Sequence, residues 1–476
     1  MVRDRLSRLR ERLFAPVDIA SLVVFRFAFG AILVWEAWRY FNYGWIDRYW
    51  VYPVLNFKYY GFTWIEAWPA VWMHRHMAAL GVLAAFIAVG LFYRVSTVLF
   101  ALGFSYMFLL EQGRYLNHFY LVTLLSWMMV FIPAHRSASF DAWMRPQWAR
   151  EFAPAWALWL LRAQIGITYF FGGVAKLHAD WLSGAPARVL MEERAGMPTL
   201  GPILNYEVSL WVIAYGGLLL DLLVVPLLLW RPTRLVAFVF AILFHLLNAT
   251  IFTIGIFPWF MMAATLLYFD PGWPRGRIFA PMADAEAERM KYRPASPWVQ
   301  KTAMAVLAVY MSFQLVFPLR HHLYPGDVNW TEEGHRFSWH MILRRKRATA
   351  VFEVTNPDTG ETWMVDPDDR LQEWHWRKMS TTPDMALQFA RFLAEEKRNE
   401  GHARIEVRAH INASLNGRPM QPLIDPTVDL AAQPRNLMPA PWILPLTEPL
   451  PDSHVLWRRA VPLKEPVGDQ EDEGGQ

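Results

Sequence analysis

Residues 169–181 read YFFGGVAKLHADW, an apolar, glycine-bearing run that carries one cation, Lys176, before the chain turns polar. Two chemistries suit a lysine in such a place. In a dry pocket the charged form is disfavoured, so the amine can act as a general base. Near the end of a membrane helix, the long stem can instead lift the ammonium to the interface. The residue types alone leave both open.

Other ionisable groups fall in apolar runs: Arg26, Arg162, Asp221 and His245, with His118 near the end of one. Such groups are costly inside a bilayer and are functional candidates by default. Arg162, Tyr169 and Lys176 recur every seven residues and so share a helix face. Gly172 and Gly173 would let a helix or a ligand approach that face closely. Asp221 reads as the counter-charge of Arg26 or Arg162. His245 and Asn248 share a face and read as an interhelical hydrogen-bonding pair. Asn117 reads as a helix N-cap, with His118 beside it at the interface.

Several chemistries have no residues to carry them. The chain has no cysteine, which removes thiol catalysis, Cys-ligated zinc and disulfides. His321, His322, His335 and His340 lack the helical spacing of a zinc protease, and no HExxH, GxSxG, P-loop or kinase signature occurs. No metal is expected. There is no basic stripe interleaved with aromatics, so no nucleic-acid partner is expected either.

The elements that must position these groups are read from hydropathy. The 476 residues are 54% hydrophobic and only 18% charged, with 25 Trp and 32 Phe, as suits a chain with broad membrane-interface contact. Apolar runs at 19–38, 77–93, 95–111, 117–133, 155–177, 207–230, 235–252, 254–269 and 299–319 approach the length needed to span a bilayer. The 254–269 run is short and reads as a hairpin or re-entrant segment. The fold class is a polytopic α-helical membrane bundle of about eight or nine helices over 1–320. A small extramembrane α+β, β-rich domain follows over 321–430, then a Pro-rich, partly disordered tail over 431–476. In the small domain, residues 348–366 predict two strands around a turn. Residues 381–401 predict a helix with Thr382 as N-cap, and 403–420 a strand ending in an Asn416–Gly417 turn. The aromatic loop 40–76 reads either as a headgroup-layer segment or as the mouth for a flat lipid-soluble ligand.

Orientation follows from Lys/Arg bias. Five Arg fall in the first twelve residues, and alternation puts Arg94, Arg136, Arg145, Arg150, Arg231, Arg234 and the 270–298 loop on the same side. An integral plasma-membrane protein is expected, with a cytoplasmic N-terminus and a C-terminal domain outside, in a bacterium the periplasm.

Taken together, the polar positions resemble the vitamin K-dependent γ-glutamyl carboxylase family, in its bacterial form with an HTTM membrane domain. FFGGVAKLHADW is similar to the family's Gly-Val-x-Lys-Leu-x-Ala-Asp-Trp segment. NHFYL at 117–121, GGLLLDL at 216–222, FHLLNATIFTIGIFPW at 244–259 and NWTEEGHRFSWHM at 329–341 resemble further family blocks, and all fall in order. The resemblance implies a reduced vitamin K or menaquinone-type naphthoquinone as cofactor, with O2 and CO2 as cosubstrates. Lys176 would deprotonate the quinol, oxygen would convert it to the epoxide, and a glutamate side chain would take up CO2. The resemblance also implies that Asn117 bonds the quinone oxygen and His118 orients or protonates intermediates. Trp339 and Met341 would line the quinone or glutamate pocket, with His245 and Asn248 also on the cofactor side. Arg344 or Arg345 would hold the glutamate carboxylate. Partners implied are the lipid-soluble quinone and a Glu-containing peptide or protein. The chain departs from the family where His178 and His340 stand at positions the family gives to aspartate. That leaves open a quinol epoxidase or monooxygenase without carboxylation. A non-enzymatic lipid-binding protein, with Lys176 as an anchor, is the reading from another class.

Overall fold

The computed structural model describes residues 2–451 apart from 199, 205, 253 and 342. The principal helices are α1 (Val2–Leu13), α2 (Ala20–Asn42), α3 (Ala70–Val89), α4 (Tyr93–Leu110), α5 (Asn117–Phe131), α6 (Ala155–Val174), α7 (Ala185–Arg194), α8 (Glu207–Leu229), α9 (Arg234–Ile251), α10 (Phe257–Thr265), α11 (Pro297–Val316), α12 (Glu373–Ser380) and α13 (Pro383–Asn399). The strands are β1 (Pro16–Asp18), β2 (Phe152–Pro154), β3 (Lys346–Thr355), β4 (Thr362–Val365), β5 (Glu406–Leu415) and β6 (Gln421–Pro422).

Seven of these helices are long and apolar enough to cross a membrane among the described residues: α2, α3, α4, α6, α8, α9 and α11 with its continuation to Leu323. The runs at 117–133 and 254–269 form shorter apolar helices, Asn117–Phe131 and Phe257–Tyr268. At about 1.5 Å per residue, neither covers a hydrocarbon layer of about 30 Å unaided. Both are packed within the bundle, which spares them that length: Leu121, Leu125 and Met129 of α5 and Phe260 and Met261 of α10 are buried in its core.

Loop contacts define two ends. At the N-terminal end, β1 pairs antiparallel with β2, Pro16 opposite Pro154. Arg275 joins Asp18 (3.1 Å) and Glu151 (2.5 Å) there. Arg26 belongs to the same end. Its guanidinium donates to the carbonyls of Ala88 and Ala134, at 3.2 and 2.8 Å, and to those of Ser137 and Ala138, at 3.4 and 2.8 Å. Arg162 likewise donates to the carbonyls of Leu267 (2.7 Å) and Phe269 (2.9 Å). Unpaired carbonyls near helix ends carry partial negative charge, and that satisfies both arginines without a carboxylate. The expected pairing of Asp221 with Arg26 or Arg162 is therefore corrected.

At the opposite end sits the C-terminal domain. Its sheet runs β4-β3-β5-β6, all antiparallel, with Phe352 opposite Ala409 and Val354 opposite Val407. Alternate residues of β3 and β5 face inward because strand side chains alternate. Phe352 meets Phe389 of α13 edge-on at 4.9 Å, within a core that includes Val407, Ile411, Met385 and Leu393. Thr382 precedes α13, as expected, but its side chain makes no capping bond. Its carbonyl accepts the first bonds of the helix, from the Met385 and Ala386 N–H groups.

Two further expectations change. Residues 431–449, assigned above to the tail, pack against the sheet: Trp442 is buried, Ile443 bridges Ile424, and Leu444 donates to the Leu423 carbonyl. Their apolar residues extend a core that the sheet alone leaves uncovered. The rest of the tail lies outside the described residues. The aromatic loop is divided rather than wholly interfacial. Trp45, Tyr49 and Trp50 are buried, with Trp50 stacked on Tyr40 at 5.2 Å and Tyr49 against Trp374 of α12. Tyr43, Tyr52, Trp64 and Trp68 stay exposed.

Candidate active site

Lys176 lies just beyond the C-terminus of α6, in a turn where its N–H donates to the Gly173 carbonyl. Its side chain folds back under the helix. Nζ donates to the Gly172 carbonyl at 3.1 Å and meets Asp221 Oδ2 of α8 at 2.5 Å. Lys176 is 6% exposed, so its amine is turned into the protein rather than out to solvent. The Trp181 ring lies 5.4 Å from Nζ. The shared face inferred for Arg162, Tyr169 and Lys176 holds only in part, because the helix ends at Val174 and Arg162 belongs to the other end of the bundle.

The glycines explain how a cation and an acid meet here. A Cβ on Gly173 would stand 2.7 Å from Leu222 Cδ2, and one on Gly172 would stand 2.7 Å from Met341 Cε. At Gly173 the Leu222 backbone N is also close, at 3.2 Å, so glycine is what lets α8 lie this near the last turn of α6, whereas at Gly172 the flexible Met341 tip could give way.

The amine and carboxyl face a partly open pocket lined mainly by apolar side chains, among them Phe244, Phe252, Phe257, Met261 and Met341. Its polar lining includes Thr168, Tyr169, His245 and Asn248. The Tyr169 hydroxyl lies 2.6 Å from His245 Nε2. His245 Nδ1 is buried and has no hydrogen-bond partner among the described residues. A buried polar atom without a partner is costly, so this nitrogen is free to bond a water or a ligand's polar atom.

The structure thus gathers Lys176, His245, Asn248 and Met341 around one cavity. His118 stands one ring behind its wall: the Phe257 ring lies 6.0 Å from both the His118 and His245 rings. His118 Nε2 is also buried without a partner among the described residues. Asn117 is the first residue of α5 rather than its N-cap, a place taken by Leu116. Its Nδ2 donates to the His340 carbonyl at 2.9 Å, and its Oδ1 accepts from the Tyr115 hydroxyl at 3.0 Å. Asn117 therefore holds the 337–341 loop in place. That loop is strained, with Phe337 at φ 63° and Trp339 at φ 60°. Such left-handed backbone costs about 1–3 kcal/mol per non-glycine residue and persists only where its surroundings impose it. Trp339 is fully buried against Tyr120 at 4.9 Å, outside the cavity lining.

Arg344 and Arg345 do not line the cavity. Arg344 pairs with Glu332 and donates to the Asn329 carbonyl at 2.6 Å, and Arg345 Nε donates to Glu193 at 2.7 Å. Nearby, the His340 ring is buried between His321 (4.9 Å) and His335 (5.1 Å), with neither nitrogen partnered among the described residues. Burial, reinforced by His321 and Arg344, lowers its pKa to about 3. Burial also lowers Lys346 to about 7, against the opposing pull of Glu332. No group of three or more His, Cys, Asp or Glu among the described residues is placed to hold a metal.

Asp221 as the partner of Lys176 was beyond reach in the sequence, because three buried cations competed for it. From the sequence, Asn416 reads only as a turn residue, Asp180 only as part of the lysine motif, and Arg418 as nothing. Asp180 is gripped by Arg418, at 2.6 and 2.8 Å, and by Asn416 at 2.8 Å. The one available signal was the Asp-Trp pair closing the lysine motif.

Comparison with known families agrees with this two-part construction. Residues 14–273 match the HTTM domain, and residues 299–449 match the lumenal domain of vitamin K-dependent gamma-carboxylase. No solved structure matches the chain significantly.

Proposed function

The chain belongs to the vitamin K-dependent gamma-carboxylase family, and from that premise we propose that it is a membrane enzyme that oxidises a reduced naphthoquinone, with Lys176 as its base. It is an integral membrane protein with an extramembrane C-terminal domain. The observation that carries the proposal is the buried Lys176 amine, 2.5 Å from Asp221, facing a largely apolar cavity.

The cavity residues fit such a ligand. Phe244, Phe252, Phe257 and Met261 offer an apolar slot to a fused ring, and the unpartnered His245 Nδ1 offers a hydrogen-bonding site to a ring oxygen. When bound with oxygen, the reduced naphthoquinone supplies the oxidative energy and the strong base for adding CO2 to a glutamate γ-carbon, leaving as its epoxide. Lys176 Nζ accepts a hydroxyl proton, and Asp221 Oδ2 shares it. Starting from a neutral amine beside an ionised Asp221, proton uptake at Nζ forms an ion pair with Asp221 while the negative charge passes to the ligand oxygen, so the total charge of the site is unchanged. Tyr169 fixes the His245 ring through Nε2, leaving Nδ1 for the ligand. Met341 and the aromatic wall exclude water, which protects strongly basic species from quenching.

Purified protein given a reduced naphthoquinone and oxygen is expected to form epoxide, read by mass spectrometry. Lys176→Ala is expected to lose about 10²–10⁴-fold of that rate, the range of a general base. Folded wild type that makes no epoxide from several quinols would refute the proposal.

A second reading, quinol epoxidation without carboxylation, has its own support. Arg344 and Arg345 are occupied by Glu332 and Glu193, and histidines stand at 178 and 340 where the family has aspartates. Epoxide formed without labelled CO2 entering a Glu-containing peptide would favour it.

A further inference from the structure

We propose that the β5–β6 hairpin tip, through Asn416 and Arg418, positions Lys176 from the extramembrane domain, so that the site is assembled by both domains. This rests on the reading of Lys176 as the base.

Lys176 has no helix of its own to hold it. The segment that carries it, residues 175–184, is held to α8 on one side, where the Tyr215 hydroxyl also donates to the Leu182 carbonyl at 2.9 Å, and to the extramembrane domain on the other. Trp181 Nε1 donates to the Ala214 carbonyl of α8 at 2.9 Å, which secures the side facing the bundle. Asp180 secures the other side. It is 5% exposed, and its two oxygens accept a bidentate pair from Arg418, at 2.6 and 2.8 Å, together with the Asn416 amide at 2.8 Å. A guanidinium fork on a carboxylate fixes direction as well as distance. Arg418 is itself aimed by the Glu448 carbonyl, which accepts from its Nε at 3.0 Å.

Asn416 does more than bond Asp180. Its Oδ1 accepts from the Arg345 N–H at 2.8 Å, and its own N–H donates to the Arg345 carbonyl at 2.8 Å. Arg345 closes the segment that carries Met341. One fully buried amide therefore ties together the two stretches that supply Lys176 and Met341 to the cavity. The tip can do this because Asn416 and Gly417, at φ 54° and 82°, form a tight left-handed turn. Asp180 carries the local electrostatics. Burial pushes its carboxyl up, but the bonds from Arg418 and Asn416 outweigh burial and hold it below the ordinary carboxylate range.

The test uses the full-length protein in lipid nanodiscs, with Arg418→Ala, Arg418→Lys and Asn416→Gly. Arg404→Ala serves as control, since it breaks only an exposed pair with Asp358. Hydrogen exchange across 175–184 is read first and needs no substrate. Quinol turnover is read second. In Arg418→Ala and Asn416→Gly, exchange is expected to quicken at least about tenfold and kcat to fall about 10²-fold, as expected for a misplacement near 1 Å. KM should stay within about threefold, because the cavity walls remain. Arg418→Lys should recover part of kcat, and Arg404→Ala should match wild type in both readouts. Glycine keeps the turn's left-handed backbone, so Asn416→Gly decides the matter even where Arg418→Ala fails to fold. Unchanged exchange in a folded Asn416→Gly protein, or kcat within twofold of wild type, would overturn the proposal. Wild type that turns over no quinol would instead remove the reading of Lys176 as base, while the exchange result would still decide whether the tip holds that segment.

Discussion

Lys176 and Asp221 act as a unit, and substitutions should show it. Removing one partner of a buried pair leaves an uncompensated charge and costs about 3–5 kcal/mol, whereas replacing both with apolar residues of similar size is close to neutral. Asp221→Asn should therefore lower the thermal midpoint clearly, and Lys176→Met with Asp221→Leu should regain most of it while staying inactive. Lys176→Arg should be as inactive as Lys176→Ala, because a guanidinium keeps its proton at any working pH. Calorimetry beside epoxide turnover checks both points, and an active arginine variant would exclude proton abstraction at this position. At this scale the sequence was partly legible. Lys176, His245, Asn248 and Met341 stood out as chemically loaded residues, and the structure brings them to one cavity. Their partners were not legible. Asp221 lies 45 residues from Lys176, and two arginines with equal claims on it turn out to use backbone carbonyls instead.

Secondary elements set how closely these groups meet, and the last turn of α6 is the most sensitive point. A methyl on Gly173 would meet both the Leu222 side chain and its backbone N, the latter at 3.2 Å, so the neighbour cannot simply rotate away. Gly173→Ala should cost about 1–3 kcal/mol by overpacking and weaken the Lys176–Asp221 contact. A lower midpoint together with reduced turnover would show both effects. The 335–341 segment should respond to pH. Burial lowers His335 well below its ordinary value and His340 to about 3. Between there and about pH 6.5, the unfolded chain binds more protons than the folded one. Stability should therefore fall as pH drops below about 6.5, by up to about 1.4 kcal/mol per pH unit for each such histidine. His340→Gln should flatten that slope in thermal melts from pH 7 to 4, and an unchanged slope would acquit His340. Helices with long apolar runs and the alternating β3 and β5 were readable because local periodicity reports burial. The segment 431–449 was not, because its proline-rich composition resembles a tail while Trp442 and Ile443 pack on the sheet from outside any periodic element.

For the whole molecule, alternation of the helices puts β1, β2, Arg26 and the 270–296 segment at one end, and the aromatic loop, the Lys176 segment and the C-terminal domain at the other. Which end faces the cytoplasm is a question of charge. Arginines and lysines near membrane ends retain loops inside, and acidic residues count little toward that rule. At the N-terminal end the sequence places Arg3, Arg5, Arg8, Arg10 and Arg12 before α2. Arg136, Arg145 and Arg150 follow α5, and Arg275, Arg277, Arg289, Lys291 and Arg293 precede α11. Many of these lie in short connections, where the bias is strongest. The N-terminal end should therefore face the cytoplasm and the C-terminal domain the outside. The absence of native cysteine makes this directly measurable. Arg231 and Met438 are both exposed, at opposite ends, and neither takes part in the site. A Met438→Cys variant should react with a membrane-impermeant maleimide added to spheroplasts, and Arg231→Cys only after permeabilisation. The reverse pattern would turn the molecule over. It would put the Asp180–Arg418 contact and the approach to Lys176 on the cytoplasmic side, and any glutamyl substrate would then have to be met there before export rather than after it.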